Sequence, residues 1–227
     1  MRKIYLFFFL VFSASIAFSQ YNYNKYNYYS VGVKLGPDFY SYKMDDNKNG
    51  DFDPVFNYSI GVAGAYYFSW LIEFHGSVNY SSRNFAIDWY YPNIPVGPDD
   101  PEVLIRTEHS MSYINIPLEA RFNVLYLNWL KVNIGAGFMT DWRFKPGETQ
   151  YYNNGKIIDS EQYWQTKDFT RVLVSFPVSL NLKFYIDRHS CVEVSTAYYF
   201  YVNRMQSDYL SKPANAITPR VAFYYEW

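Results

Sequence analysis

The chain has 227 residues, enough for one domain with a sizeable core, and 22% of them are aromatic, including 26 tyrosines. A formal net charge of −1 argues against a nucleic-acid partner. The single cysteine, Cys191, excludes a disulfide framework and a cysteine-based zinc cluster, and we expect no cofactor.

The N-terminus has the pattern of a secretory signal peptide. Two basic residues precede an apolar run over 4–18, and Ala17 and Ser19 are the small residues that a signal peptidase reads, so we expect cleavage after residue 19. A retained anchor helix is the alternative, but the run is about 15 residues long and a spanning helix needs about 20. The Tyr/Asn-rich residues 20–29 are interpreted as a short periplasmic lead-in.

From Ser30 onward, apolar and polar residues alternate with the period of two that is typical of β-strands. The apolar face of these segments carries no charged residue, although 18% of the chain is charged. The pattern predicts an all-β fold with eight strands, over 31–36, 58–68, 72–81, 112–124, 130–142, 172–186, 192–202 and 217–227.

Side-chain volume indicates which face points outward. The apolar face is bulky, whereas the polar face holds many small residues, such as Gly61, Ala63, Gly135 and Gly137. An eight-stranded barrel has an interior just wide enough to be filled by side chains, so the small face suits the inside and the bulky face suits lipid. We therefore predict an eight-stranded antiparallel up-and-down transmembrane β-barrel over 30–227, in contact with outer-membrane lipid; a soluble barrel with an apolar interior is the alternative.

The connections between the predicted strands alternate in length. Short turns follow Trp70 and lie near residues 126–129 and 187–190, whereas the other connections are long and polar. Outer-membrane barrels have short periplasmic turns and long extracellular loops. We expect extracellular loops over 41–56, 89–109, 145–171 and 206–216.

Three segments resemble strands of the PorT-like "porin family" of Gram-negative outer-membrane barrels: Val31–Gly36, Tyr113–Arg121 and Ile134–Phe138. The chain also ends on an aromatic residue, which in such barrels looks like the signal read by the barrel-assembly machinery. The resemblance covers about residues 30–227 and implies an architecture rather than an activity. Pro37 and Asp38 depart from the family pattern after Gly36. The residues to which the assembly signal is assigned are Val221, Phe223, Tyr225 and Trp227.

The first long loop contains a weak candidate for a calcium site. Oxygen-bearing residues occupy positions 1, 3, 5, 7 and 9 of a calcium-loop pattern, with a glycine at position 6. Position 12 is Phe56, where the pattern requires a bidentate glutamate, so we interpret the segment as an acidic solvated loop and predict no metal site. The candidate ligands are Asp45, Asn47, Asn49, Asp51 and Asp53.

An outer-membrane enzyme is one alternative function. His109 could in principle meet Ser110 or Ser112 and a carboxylate of Asp88 or Asp141 at the outer rim, as in acyltransferases or proteases. Nothing in the sequence fixes that geometry, so we predict that the protein is not an enzyme. A small-solute pore is the other alternative.

Charged residues on the inward face predict a plugged barrel. Four bases and four acids face a lumen that has no wide channel, and buried charges are costly unless they are paired. We therefore expect a non-conducting protein with a structural or surface-interaction role, whose partner is an extracellular or secretion-system protein. The predicted lumen charge network comprises Lys34, Glu73, Glu119, Arg121, Lys131, Lys183, Glu193 and Glu226.

Overall fold

The computed structural model describes residues 29–43, 49–90, 102–160, 170–203 and 215–227. The expected signal peptide and almost all of the lead-in lie outside these residues. Tyr29, which the sequence placed in the lead-in, is the first residue of a strand. Among the described residues, no helix has the length and apolar character needed to cross a membrane.

The described residues form eleven β-strands joined in one antiparallel sheet. In chain order they are β1 (Tyr29–Ser41), β2 (Gly50–Pro54), β3 (Asn57–Tyr67), β4 (Ile72–Ser82), β5 (Phe85–Trp89), β6 (Leu104–Tyr126), β7 (Leu130–Tyr152), β8 (Ile157–Ser160), β9 (Val172–Tyr185), β10 (Ser190–Tyr201) and β11 (Asn215–Glu226).

Eight of these strands close into a barrel. The ring runs β1–β3–β4–β6–β7–β9–β10–β11, and β11 pairs back onto β1. Tyr29 and Trp227 complete the closure with two backbone hydrogen bonds, N to O distances of 3.2 and 3.0 Å. Each ring strand pairs with the next ring strand along the chain, so the predicted eight-stranded up-and-down barrel is confirmed.

The two faces of the barrel are distributed as side-chain volume predicted. Bulky apolar side chains point outward and are about half exposed, such as Val33 at 55% and Leu118 at 58%. Small residues on the inward face let lumen side chains fit. A Cβ at Gly135 would lie 2.4 Å from Ser179 Oγ and 3.0 Å from Glu119 Oε2. The outer surface of the barrel is therefore apolar and suited to lipid, and side chains fill the interior.

Beyond the barrel, five strands continue as a single sheet in the order β2–β5–β6–β7–β8. Strands β6 and β7 have 23 residues each, whereas crossing a membrane takes about 9–11. Their register is irregular between Ser112 and Tyr113, where the barrel passes into this extension. We use "extension" for β2, β5, the Leu104–Ser112 part of β6, the 145–152 part of β7, and β8.

The extension corrects the prediction that 41–56, 89–109 and 145–171 are loops throughout. The alternation of residues reverses above the membrane: the inward face carries Phe52, Phe85 and Ile87, and the outward face carries acidic residues such as Asp51 and Asp88. Outside the bilayer, the outward face meets water instead of lipid, so the apolar face turns inward. These strands therefore lack the outward apolar face that marks the strands of the barrel.

Candidate functional site

The candidate functional site is the filled lumen of the barrel. Its half near the short turns holds what we call the inner network: Glu73, Glu119, Arg121, Lys131, Lys183, Glu193 and Glu226. In outer-membrane barrels this end faces the periplasm. All seven side chains are buried.

Glu73 is the centre of the inner network. Its carboxylate lies 2.8 Å from Lys131 Nζ, 3.5 Å from Arg121 Nη1 and 3.8 Å from Lys183 Nζ. Three cations around one buried carboxylate stabilise its negative charge. Strand pairing brings these groups together, since Glu73 lies opposite Arg121 on β4 and β6.

The other acids of the inner network share the remaining contacts of the same cations. Arg121 binds Glu119 and Glu193, both at 3.1 Å, and Ser179 Oγ donates to Glu119 at 2.9 Å. Lys183 Nζ lies 3.3 Å from Glu226 and donates to Tyr67 Oη at 2.8 Å. The structure therefore brings together seven of the eight residues of the predicted charge network.

Lys34 is the eighth residue, and the structure corrects the expectation that each base contacts an acid. Its side chain is buried at 9% exposure, on the inward face of β1. Among the described residues, no carboxylate lies within 4.0 Å of its ammonium group. Lys34 instead lines a small polar cavity above the inner network.

The inner network closes the lumen on one side of this cavity. A second group of side chains closes it on the other side, and it was not predicted from the sequence. The buried side chain of Arg83 pairs with Asp141. Its guanidinium carbon lies 4.4 to 5.1 Å from the ring centroids of Tyr113, Tyr201 and Tyr40. Cations over aromatic faces are attracted by the ring quadrupole, so the tyrosines hold Arg83 in place. We call this arrangement the outer pair.

An aromatic cap covers the outer pair. Phe85 is 1% exposed, and its ring centroid lies 5.2 Å from that of Tyr42 and 5.6 Å from that of Phe52. Phe85 follows Arg83 on the same inward face, with only Asn84 between them. Full burial of a side chain of this size contributes about 1.5–3 kcal/mol. The described part of the lumen is thus closed by a polar network, an ion pair and an apolar layer.

The candidates for an outer-rim enzyme do not converge. His109 points inward, 3.8 Å from Glu148, and its ring centroid lies 4.6 Å from that of Phe85 with the two planes tilted by 33°. Ser110 is exposed on the opposite face. Ser112 shares a hydrogen bond with Tyr80. The two carboxylates are also engaged elsewhere, Asp88 with Arg106 outside and Asp141 with Arg83 inside.

The calcium-loop pattern is divided by the structure. Asp51 and Asp53 lie in β2, extended against β5, where Asp53 pairs with Arg106 at 2.8 Å and Asp51 accepts from Tyr90 at 3.2 Å. An extended strand cannot wrap a cation as a calcium loop does. Asp45 and Asn47 lie outside the described residues, and within the described part of the chain no group of three acidic, His or Cys side chains could hold a metal.

The outward face of the extension is organised around Arg106. Its guanidinium contacts Asp53, Asp88 and Glu108 at 2.8, 3.0 and 2.9 Å, across β2, β5 and β6. Tyr151 of β7 donates to Glu108 at 3.1 Å. One cation thus links carboxylates of three strands, and the face remains acidic.

The residues of the expected assembly signal share one surface of the last strand. Val221, Phe223, Tyr225 and Trp227 are 47–53% exposed on the outward face. Strand β11 pairs with both β1 and β10, so this apolar row lies where the barrel closes. Its role as an assembly signal stays a prediction.

Comparison with known proteins agrees with this architecture. Residues 18–204 match the family described as outer membrane protein beta-barrel domain. The chain belongs to this family. It is an outer-membrane β-barrel protein, and the outer membrane is its location. Comparison with curated protein sequences gives no match.

Solved structures of similar fold include several outer-membrane proteins. Ail of Yersinia pestis is 13% identical with a TM-score of 0.47, covering 87% of this chain and 98% of that one. Neisserial surface protein A is 10% identical with a TM-score of 0.49, covering 88% and 97%. OprG of Pseudomonas aeruginosa is 11% identical with a TM-score of 0.46, covering 87% and 95%.

Proposed function

We propose that this protein is a non-conducting outer-membrane barrel that presents its extension to a protein partner outside the cell. The observation that carries the proposal is the length of β6 and β7, which at 23 residues each continue well past the membrane as paired strands. Such strands extend roughly 30 Å over the nine residues from Leu104 to Ser112. A paired sheet that extends this far beyond the membrane is suited to contact with a partner, because its backbone is already ordered before binding.

The filled lumen supports the non-conducting part of the proposal. The inner network, the outer pair and the aromatic cap lie in series, and the cavity between them has room for about one water molecule. A solute would have to displace buried ion pairs and an apolar layer to pass.

Export by the signal peptide over residues 1–19, insertion by the barrel-assembly machinery and membership of the PorT-like group belong to the same proposal. The partner is then a surface or secretion-system protein. The acidic outward face around Arg106 suits a partner surface that carries basic residues.

Planar-bilayer recording tests the non-conducting part. The purified barrel, shown to be folded by its heat-modifiable gel migration, should give no stable single-channel current. A reproducible ion-selective conductance would refute it and favour the pore.

Photo-crosslinking on intact cells tests the surface contact. A photoreactive amino acid at Tyr151, on the outward face of the extension, should give one adduct of defined mass, whose yield falls when Asp53 and Asp88 are both changed to Asn. The same group at Ile134, on the lipid-facing surface, is the control. Equal adducts at both positions, or none at Tyr151, would overturn the proposed contact.

A further inference from the structure

The cavity between the inner network and the outer pair is lined by an excess of cations. Lys34, Arg83 and Arg220 border it, and Asp38 is the only carboxylate among its described lining residues. Arg220 pairs with Asp38, and Arg83 pairs with Asp141 beyond the cavity wall. Two of the three cations therefore already have a carboxylate in contact, and Lys34 does not.

Lys34 directs a buried charge at this space. The residue is only 9% exposed, and within the described residues its ammonium group has neither a hydrogen bond nor a carboxylate within 4.0 Å. An ammonium group withdrawn from water is costly without a counter-charge or hydrogen-bond acceptors. Any group that completes its coordination has to lie in the cavity that Lys34 lines.

The size and the lining of the cavity limit what that group can be. The space has room for about one water molecule, which excludes a phosphate, a carboxylate or any other ligand of several non-hydrogen atoms. Asn79 and Asn115 also border the space, and their amide nitrogens donate to Ser77 and Asp141. Met139 gives the cavity one flexible side that can adjust to a slightly larger occupant. The lining carries three cationic side chains and one carboxylate, so an anion is favoured over a cation.

We propose that this cavity binds a single small monovalent anion of the chloride class, held by the Lys34 ammonium group between the two closures of the lumen. The bound anion pairs with Lys34 and with the positive ends of Arg83 and Arg220, and so joins the inner network to the outer pair. The proposal is independent of any surface partner.

The direct test is anomalous diffraction from crystals of the purified barrel soaked in sodium bromide, since bromide replaces chloride and scatters anomalously. We expect one peak in the cavity, within contact distance of Lys34 Nζ. The matched variant is Lys34→Met, which keeps an unbranched side chain one atom shorter and removes its charge, and it should show no peak. The same peak in Lys34→Met, or only a water molecule in the wild-type cavity, would overturn the proposal.

A solution measurement covers the case in which Lys34→Met does not fold. The wild-type barrel is heated in detergent at constant ionic strength, in chloride or in gluconate, which is too large for the cavity, and the loss of the folded gel form is followed. Chloride should raise the midpoint temperature measurably over gluconate. The competing explanation is that water solvates Lys34, and that the carboxylates of the inner network balance its charge without direct contact. Equal midpoint temperatures in the two salts would establish that explanation and refute the anion site.

Discussion

Glu73 has the most cation contacts of any carboxylate in the inner network, with three within 3.8 Å. Changing Glu73 to Gln leaves Lys131 and Lys183 buried beside a neutral amide. Removing one partner of a buried ion pair costs about 3–5 kcal/mol. We expect a loss of that order in the free energy of unfolding, measured by urea titration of the barrel in lipid vesicles.

Glu119→Gln is the matched control, because Glu119 contacts one cation, Arg121, and a serine hydroxyl. Its loss of stability should be smaller than that of Glu73→Gln. An equal or larger loss for Glu119→Gln would show that Glu73 is not the centre of the network.

The inward glycines permit the close approach of neighbouring strands. A Cβ at Gly137 would lie 2.0 Å from Leu118 O and 2.8 Å from Glu119 Cα, both backbone atoms that cannot rotate away. Gly137→Ala should therefore cost about 1–3 kcal/mol of barrel stability, the typical penalty of overpacking. Gly64→Ala is the comparison in the same urea titration, since its nearest neighbour is 3.3 Å away. Similar stability of the two variants would contradict this account.

Arg83 shows how far residue-level reasoning from the sequence reaches. The alternation that places Glu73 and His75 inside also places Arg83 inside, provided that the strand is continued past Ser81. By the same alternation, its partner Asp141 falls on the polar face of the predicted strand over 130–142. The pairing of Arg83 with Asp141 could not be predicted from the sequence, because the relative stagger of their β-strands depends on the tilt of the closed barrel.

At the scale of elements, the extension depends on Arg106. Arg106→Ala removes contacts with three carboxylates, each worth about 0.2–1 kcal/mol for partly exposed groups, and leaves like charges facing one another. Amide hydrogen exchange in β2 and β5 should become faster, and exchange in the barrel strands should stay the same. Lys156→Ala, which removes a single exposed pair with Glu102, is the control. Unchanged exchange in β2 after Arg106→Ala would mean that backbone pairing alone holds the sheet.

The closing strand gives a second prediction at this scale. Deleting Trp227 removes two backbone hydrogen bonds to Tyr29 and the ring contacts with Tyr29 and Tyr225, at 6.4 and 6.2 Å. The yield of folded barrel in cells should fall sharply, as measured by heat-modifiable migration of membrane fractions. Trp227→Phe keeps the backbone and an aromatic ring and should restore most of the yield. Wild-type yield after the deletion would show that the terminus is dispensable.

The ring strands could be predicted from the sequence because lipid imposes one rule on every outward position, and residues such as Val33, Val62 and Leu118 all obey it. The extension could not be predicted in the same way. Ile87 and Asp88 follow the opposite rule, and their strand is only five residues long. The same alternation therefore indicates an outward apolar face where the strand lies in lipid and an inward apolar face where it lies in water.

At the scale of the whole molecule, the inner network, the outer pair and the aromatic cap lie in series, so the loss of one should not open the barrel. We expect Glu73→Ala, Arg83→Ala and Phe85→Ala to remain without conductance as single variants, and the triple variant to pass ions in planar bilayers. Heat-modifiable migration verifies that each variant is folded. A stable current from any single variant would show that the remaining two closures are insufficient, and a folded triple variant without current would place the barrier elsewhere.

The division between barrel and extension also determines which residues can be substituted during evolution. Outward positions in the bilayer have to stay apolar, and inward positions have to preserve a filled lumen. Neither requirement applies to Thr149, Asp159 and the other outward residues of the extension, because they face water above the membrane. Their substitution leaves the inner network and the outer pair intact. This surface can therefore diversify at little cost to the barrel below it.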